Sequence, residues 1–284
     1  MSATKITAVV LLVSVMLNAG LQADRGRLVA ALKNTGLLAR ALLANFVLVP
    51  IFGVLLVRLF ALPPLIAVGF LLMALAPGAP FLPRAAGRQP GGSLGFAIAL
   101  AFILPAVSVV TIPLTAPLVF PARGAGHVPI VPVMLNLIVI QLLPLLIGLL
   151  IADRAPQAAA KLNRPLTVVF AAAVVVLLVL NGATIPSQVA AVYGSRGMLA
   201  MLVISLLSVA TGWLLAFSDL QYRRTLGIST ALRNVGLCLT VATANFPGTI
   251  VAATVFTYLL IQFVVTFAFR LAMHRIAGSA KAQG

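Results

Sequence analysis

Pro77-Gly78-Ala79-Pro80-Phe81-Leu82-Pro83-Arg84 closes an apolar run that begins at Pro64. Prolines at i, i+3 and i+6 remove three amide donors and clash with the preceding turns, so a regular helix cannot run through this stretch. Irregular backbone at membrane depth is tolerated only where protein buries it or where it lines a cavity. Two readings follow: a helix broken inside a bilayer, or a helix that ends near Pro80 and leaves Arg84 with Arg88 as a cytoplasmic flank. Both require that the surrounding chain cross a membrane.

Composition supplies that condition. The chain has 284 residues, 62% of them hydrophobic, with a mean hydropathy of +1.20, far above the roughly half-apolar usage of soluble domains. A spanning helix takes about 20 apolar residues. Apolar runs bounded by charge or by Pro and Gly give nine segments: 6–22, 37–60, 64–88, 93–120, 128–152, 165–182, 197–218, 224–246 and 249–273. Their short connections leave no room for a soluble domain, so the expectation is an all-α polytopic membrane protein, one transmembrane domain over 1–284.

Lys and Arg total 19 against three acidic residues, Asp24, Asp153 and Asp219. In a membrane protein this excess belongs to cytoplasmic loops rather than to nucleic-acid binding. With the N-terminus outside, most of the basic residues and all three aspartates fall on the cytoplasmic side. Lys5, Arg58, Arg123 and Arg196 fall outside, and Arg233 lies within a span. One missed helix would invert every later loop, so the bias supports N-out, C-in in an inner membrane. The first segment reads as a retained span, because Arg25 and Arg27 follow it directly and its leading charge is Lys5 alone. The single cysteine, Cys238, excludes an intramolecular disulfide.

Enzyme signatures such as GxxxxGK, HExxH and CxxC do not occur, and His127 and His274 are isolated near membrane edges. Without an acidic residue in the spans there is no carboxylate pair, proton relay or acidic sodium ligand. The expectation is selective permeation, with no cofactor and no nucleic-acid partner.

Gly227-Ile228-Ser229-Thr230-Ala231-Leu232-Arg233-Asn234-Val235-Gly236 concentrates hydroxyl, amide and small residues in the span 224–246. Arg233 lies roughly 14 Å from the start of that span, near the midplane. Placing it there costs about 2.5–3.5 kcal/mol on insertion scales. Two roles remain open: donating to backbone carbonyls of a broken neighbouring helix, or binding an anion. The second is favoured because no intramembrane carboxylate is present to pair with it. Asn18, Asn45, Asn136, Gln141, Asn181, Thr257 and Gln262 read as interhelical glue. Arg84-Ala85-Ala86-Gly87 and Arg233-Asn234-Val235-Gly236 share R-x-x-G, a hint that the halves are inverted repeats with paired discontinuous helices.

Ala44-Asn45-Phe46 with Pro50, the Pro77-Gly78 break, and Arg223-Arg224-Thr225-Leu226-Gly227-Ile228 leading to Asn234-Val235-Gly236-Leu237 resemble the bile acid:sodium symporter family. The first span, ending Val15-Met16-Leu17-Asn18-Ala19-Gly20-Leu21, looks like that family's second helix, so one helix is missing relative to ten-helix members. The resemblance implies a core domain holding two broken helices that cross, here spans near 37–120 and 197–273. It implies a panel of spans near 6–22, 128–152 and 165–182, and alternating access between the two. The chain departs from the pattern at the sodium sites. Where the family typically has Glu-x-Gly-x-Gln-Asn, it reads Ser229-Thr230-Ala231-Leu232-Arg233-Asn234, and a typical Ser-Asn after Pro-Gly is replaced by Leu82-Pro83.

The expected function is secondary transport of a small organic anion without sodium coupling, Arg233 standing as a tethered charge in place of the ion. The expected substrate site is Arg233, Asn234, Ser229, Thr230, Asn45, Pro83 and Arg84, and Arg233→Gln is expected to abolish anion binding. Two alternatives stay open: sodium-coupled symport with Asn45, Ser229 and Asn234 as ligands, and a non-transporting membrane sensor. Substrate, direction and oligomeric state stay open.

Overall fold

A computed structural model describes residues 2–78, 80, 82–86, 92–120, 130–181, 185–217 and 219–282. The elements are helical throughout: α1 (Ala3–Leu21), α2 (Arg25–Lys33), α3 (Thr35–Leu43), α4 (Val49–Leu59), α5 (Pro64–Leu75), α6 (Leu82–Ala86), α7 (Leu94–Val119), α8 (Ile130–Leu137), α9 (Leu143–Arg154), α10 (Pro156–Asn181), α11 (Ile185–Gly194), α12 (Gly197–Leu215), α13 (Leu220–Ala231), α14 (Val235–Asn245) and α15 (Val251–Ala282). Seven continuous helical runs among the described residues are long and apolar enough to cross a membrane, and Pro64–Leu75 and Val235–Asn245 are shorter apolar helices. Two of the nine expected spans are thus interrupted helices: α5 with α6, and α13 with α14.

Two long runs contain a turn of π-helix, at Ala44–Leu48 and Ile138–Leu142. Each precedes a proline, Pro50 and Pro144, whose ring clashes with the carbonyl four residues back and whose nitrogen donates nothing. The widened turn includes that carbonyl in both cases. The Val49 and Leu143 amides then donate five residues back, to Ala44 and Ile138.

Several helix limits differ from the sequence expectation, the last helix for one running to Ala282 rather than 273. The connection after the first span folds as α2, because Asp24 caps it by accepting from the Arg27 amide at 2.8 Å and Asn34 caps α3 in the same way. The stretch before Gly197, expected to be loop, contains α11. The sixth span was expected from Pro165, but α10 starts at Pro156, where proline suits a first turn.

Packing is closest where glycines face backbone. α1 packs mainly on α9 and α10, and at its crossing with α9 Gly20 faces Gly148. A Cβ on Gly20 would stand 2.8 Å from the Gly148 Cα, and one on Gly148 would stand 2.8 Å from the Gly20 Cα. Asn18 adds a hydrogen bond to Thr167 of α10 at 3.0 Å. α12 packs on α13, α15 and α4, and α5 packs on α15.

The three aspartates lie at helix ends. Asp24 is a cap, Asp153 pairs with Arg25 at 3.1 Å, and Asp219 accepts from Gln221 at 3.3 Å. None is available to Arg233.

Candidate functional site

The two interrupted helices meet at their breaks. Pro77 and Arg233 form an isolated antiparallel bridge, and the Asn234 amide donates to the Ala76 carbonyl at 2.8 Å. The helix of the third expected span stops at Leu75, and helix resumes at Leu82 as α6. Two extended strips of backbone satisfy each other here, as buried irregular backbone must. The R-x-x-G correspondence does not survive: Arg84 stands within α6, whereas Arg233 stands in the break before α14.

Gly78 makes the first break possible. Its φ is +89°, and a Cβ there would lie 2.8 Å from Pro105 Cγ and 2.9 Å from Leu104 Cβ. Gly78→Ala is expected to destabilise the protein by more than about 1 kcal/mol, seen as a lower melting midpoint in detergent. An unchanged midpoint would mean that this turn is not under constraint.

Arg233 is fully buried. Its guanidinium donates to the Ala74 carbonyl at 3.4 Å and to the Thr230 carbonyl, while its backbone amide donates to Gln262 Oε1 at 3.0 Å. Ala74 and Thr230 lie in the last turns of α5 and α13, where carbonyls have no partner within their own helix. Those ends carry the negative pole of each helix dipole. A cation therefore sits where two negative helix ends converge, and the chain itself supplies it.

The other expected residues gather around this point to different degrees. Asn234 is buried and caps α14, accepting from the Leu237 amide at 3.1 Å; its Nδ2 reaches Gln141 Oε1 at 3.4 Å. Thr230 donates back to the Leu226 carbonyl at 2.8 Å. Ser229 is buried, and its Oγ makes no hydrogen bond to a described residue. Asn45, in the first π turn, donates to the Ala41 carbonyl at 2.9 Å, and its Oδ1 accepts nothing from a described residue. Pro83 is buried in α6. The Arg84 side chain lies outside what the structure describes.

A cavity of about 450 Å³ runs from the crossover between α1, α10, α14 and α15. Asn234, Val235 and Gly236 form part of its wall, and Pro80 and Ala85 come from the first broken helix. The rest is apolar apart from Arg270, with Phe170, Phe256 and Phe263 the largest groups. Arg233 is not among the lining residues. Where α1 meets α14 the approach is close, since a Cβ on Gly236 would lie 2.7 Å from Leu11 Cδ2.

Two residues carry more than their sequence context suggested. Gln262, read as glue, holds the Arg233 backbone. Arg270, counted only as a cytoplasmic charge, lines the cavity; the signal was Phe256, Leu259, Phe263 and Arg270 at i, i+3, i+7 and i+14, one face of a helix.

Seven long apolar helices, two helices broken against each other, and a cavity beside the break define a multi-pass membrane protein built around an irregular buried segment. A family model for the sodium bile acid symporter family matches residues 9–190, well over half of the chain. The chain belongs to that family, whose members are transporters and not enzymes. The match covers the first break; the second, with Arg233, lies beyond it. No curated protein matches the chain.

Proposed function

We propose that this transporter carries an organic anion by alternating access without sodium coupling. The observation that supports the reading is the Arg233 guanidinium donating to the Ala74 and Thr230 carbonyls. Carbonyl oxygens converging from two helix ends are what a small hard cation would take as ligands, and a guanidinium offers only donors. The tethered charge balances the crossover, so no ion has to enter with the substrate.

Nine membrane passages, counting the two broken helices as one each, put the N-terminus outside and the C-terminus in the cytoplasm of an inner membrane, in keeping with the charge bias. In this reading α1, α8–α9 and α10 form the panel, the remaining spans form the core, and the cavity between them receives the substrate.

The test is thermal stability of the purified protein in sodium chloride and in choline chloride at equal ionic strength, with a panel of carboxylates and sulfonates. A ligand that binds only the folded state raises the midpoint with its occupancy. Equal stabilisation by an anion in both salts is expected. Stabilisation that requires sodium supports a second reading, sodium-coupled symport. That reading has its own support, because Asn45 Oδ1 and Ser229 Oγ are buried acceptors without a hydrogen bond to a described residue.

A further inference from the structure

Arg270 is the only charged side chain among the described residues that line the cavity. It is half-buried and no hydrogen bond or ion pair links it to a described residue. Arg233 is in the opposite condition, fully buried and engaged with carbonyls. Of the two cations, the one behind the cavity wall at the crossover is already engaged, and the one that lines the cavity is not.

Spacing sets the dimensions. Gln262, which holds Arg233, and Arg270 are eight residues apart on one continuous helix, about 12 Å along its axis. From Phe256 to Arg270 the lined face extends about 21 Å. Apart from Asn234, the walls between these points are aliphatic or aromatic, and the volume is that of a ligand site for a drug-sized molecule. A guanidinium beside such walls has lost part of its hydration, and nothing on the cavity surface that the structure describes replaces it. A carboxylate or sulfonate would do so with two parallel hydrogen bonds.

We propose that Arg270 reads the charge of the transported anion, which lies lengthwise in the cavity with its acidic group at Arg270 and its apolar body pointing toward Asn234. This rests on the anion-carrier reading above. It separates two tasks that one arginine was expected to perform: Arg233 holds the crossover together, and Arg270 selects anions over neutral molecules of the same shape. Short acids of a few carbons leave most of the apolar wall uncovered and bind weakly.

The experiment measures thermal stabilisation and equilibrium binding in nanodiscs of phosphatidylcholine. The probes are cholate, indole-3-acetate and 4-methyl-2-oxopentanoate, each beside its neutral methyl ester. The wild type is expected to prefer an acid over its ester by about tenfold or more, the worth of a charge-assisted hydrogen bond, with cholate the tightest. Arg270→Gln is expected to bring that ratio near one while ester binding stays intact, which shows the cavity still formed. Arg270→Lys is expected to keep part of the preference and serves if the glutamine variant does not fold. A full acid preference in Arg270→Gln, or in Arg270→Lys no acid preference with intact ester binding, overturns the assignment and leaves the carrier reading standing. Wild-type protein that none of the acids stabilises in either salt overturns both.

Discussion

Arg233→Gln is expected to make the protein's stability depend on sodium. Removing the guanidinium leaves the Ala74 and Thr230 carbonyls buried without a donor, at roughly 1–3 kcal/mol each. In choline chloride the melting midpoint of the variant is therefore expected to fall well below that of the wild type. In sodium chloride it is expected to recover, because the amide oxygen of glutamine joins two backbone oxygens at the negative ends of α5 and α13. Sodium at a hundred times its dissociation constant would restore about 2.7 kcal/mol. The wild type is expected to melt alike in both salts. A variant equally destabilised in both salts would sink the idea that the guanidinium stands in an ion's place. The choice of readout matters, since loss of anion binding alone could reflect a loosened crossover rather than a lost contact to substrate.

The second large effect is expected at the crossing of α1 and α9. Gly20→Val and Gly148→Val each place a branched side chain against the backbone of the facing helix, where even a Cβ would lie 2.8 Å from the opposite Cα. Backbone cannot move aside as a flexible side chain can, so the helices must separate along their contact. Overpacking in a well-filled core costs about 1–3 kcal/mol and more where backbone must shift. Either variant is expected to yield little monodisperse protein on size exclusion from detergent. Gly194→Ala is the control, because nothing lies within 4 Å of a Cβ at that site and alanine favours a helix. Normal yields from both valine variants would show that α1 and α9 are not held at this distance in the membrane.

Much of this arrangement could be read from residue order. The apolar runs follow from bilayer thickness, and the prolines at 77, 80 and 83 forbid a continuous helix whatever surrounds them. Arg233 was conspicuous as a charge in an apolar span. What it would touch was not legible, because its partner Ala74 is 159 residues away and a backbone carbonyl has no identity in a sequence. Only geometry could show that the guanidinium lies on the Ala74 and Thr230 carbonyls. Gln262 was hidden for a related reason: one amide in an apolar helix looks the same whether it joins two helices or fixes the backbone of a break. Arg270 was hidden by its neighbours, since a cation near the end of a span satisfies the charge bias without further cause. The π turns at Asn45 and Gln141 were only half legible. Pro50 and Pro144 announced a disturbance, and the sequence does not say whether it resolves as a kink or as a wider turn.

A positive charge that is part of the polypeptide does not travel with the cargo. In the carrier proposed here, each monoanion that crosses therefore moves one net negative charge through the membrane potential. That work is about 2.3 kcal/mol for every 100 mV, or roughly a fortyfold difference in concentration at equilibrium. In a membrane that is negative inside, voltage alone would drive such an anion outward. In such a carrier the residue at position 233 would set more than which ion is needed: exchanging a mobile cation for a fixed one would turn a device for accumulation into one for release.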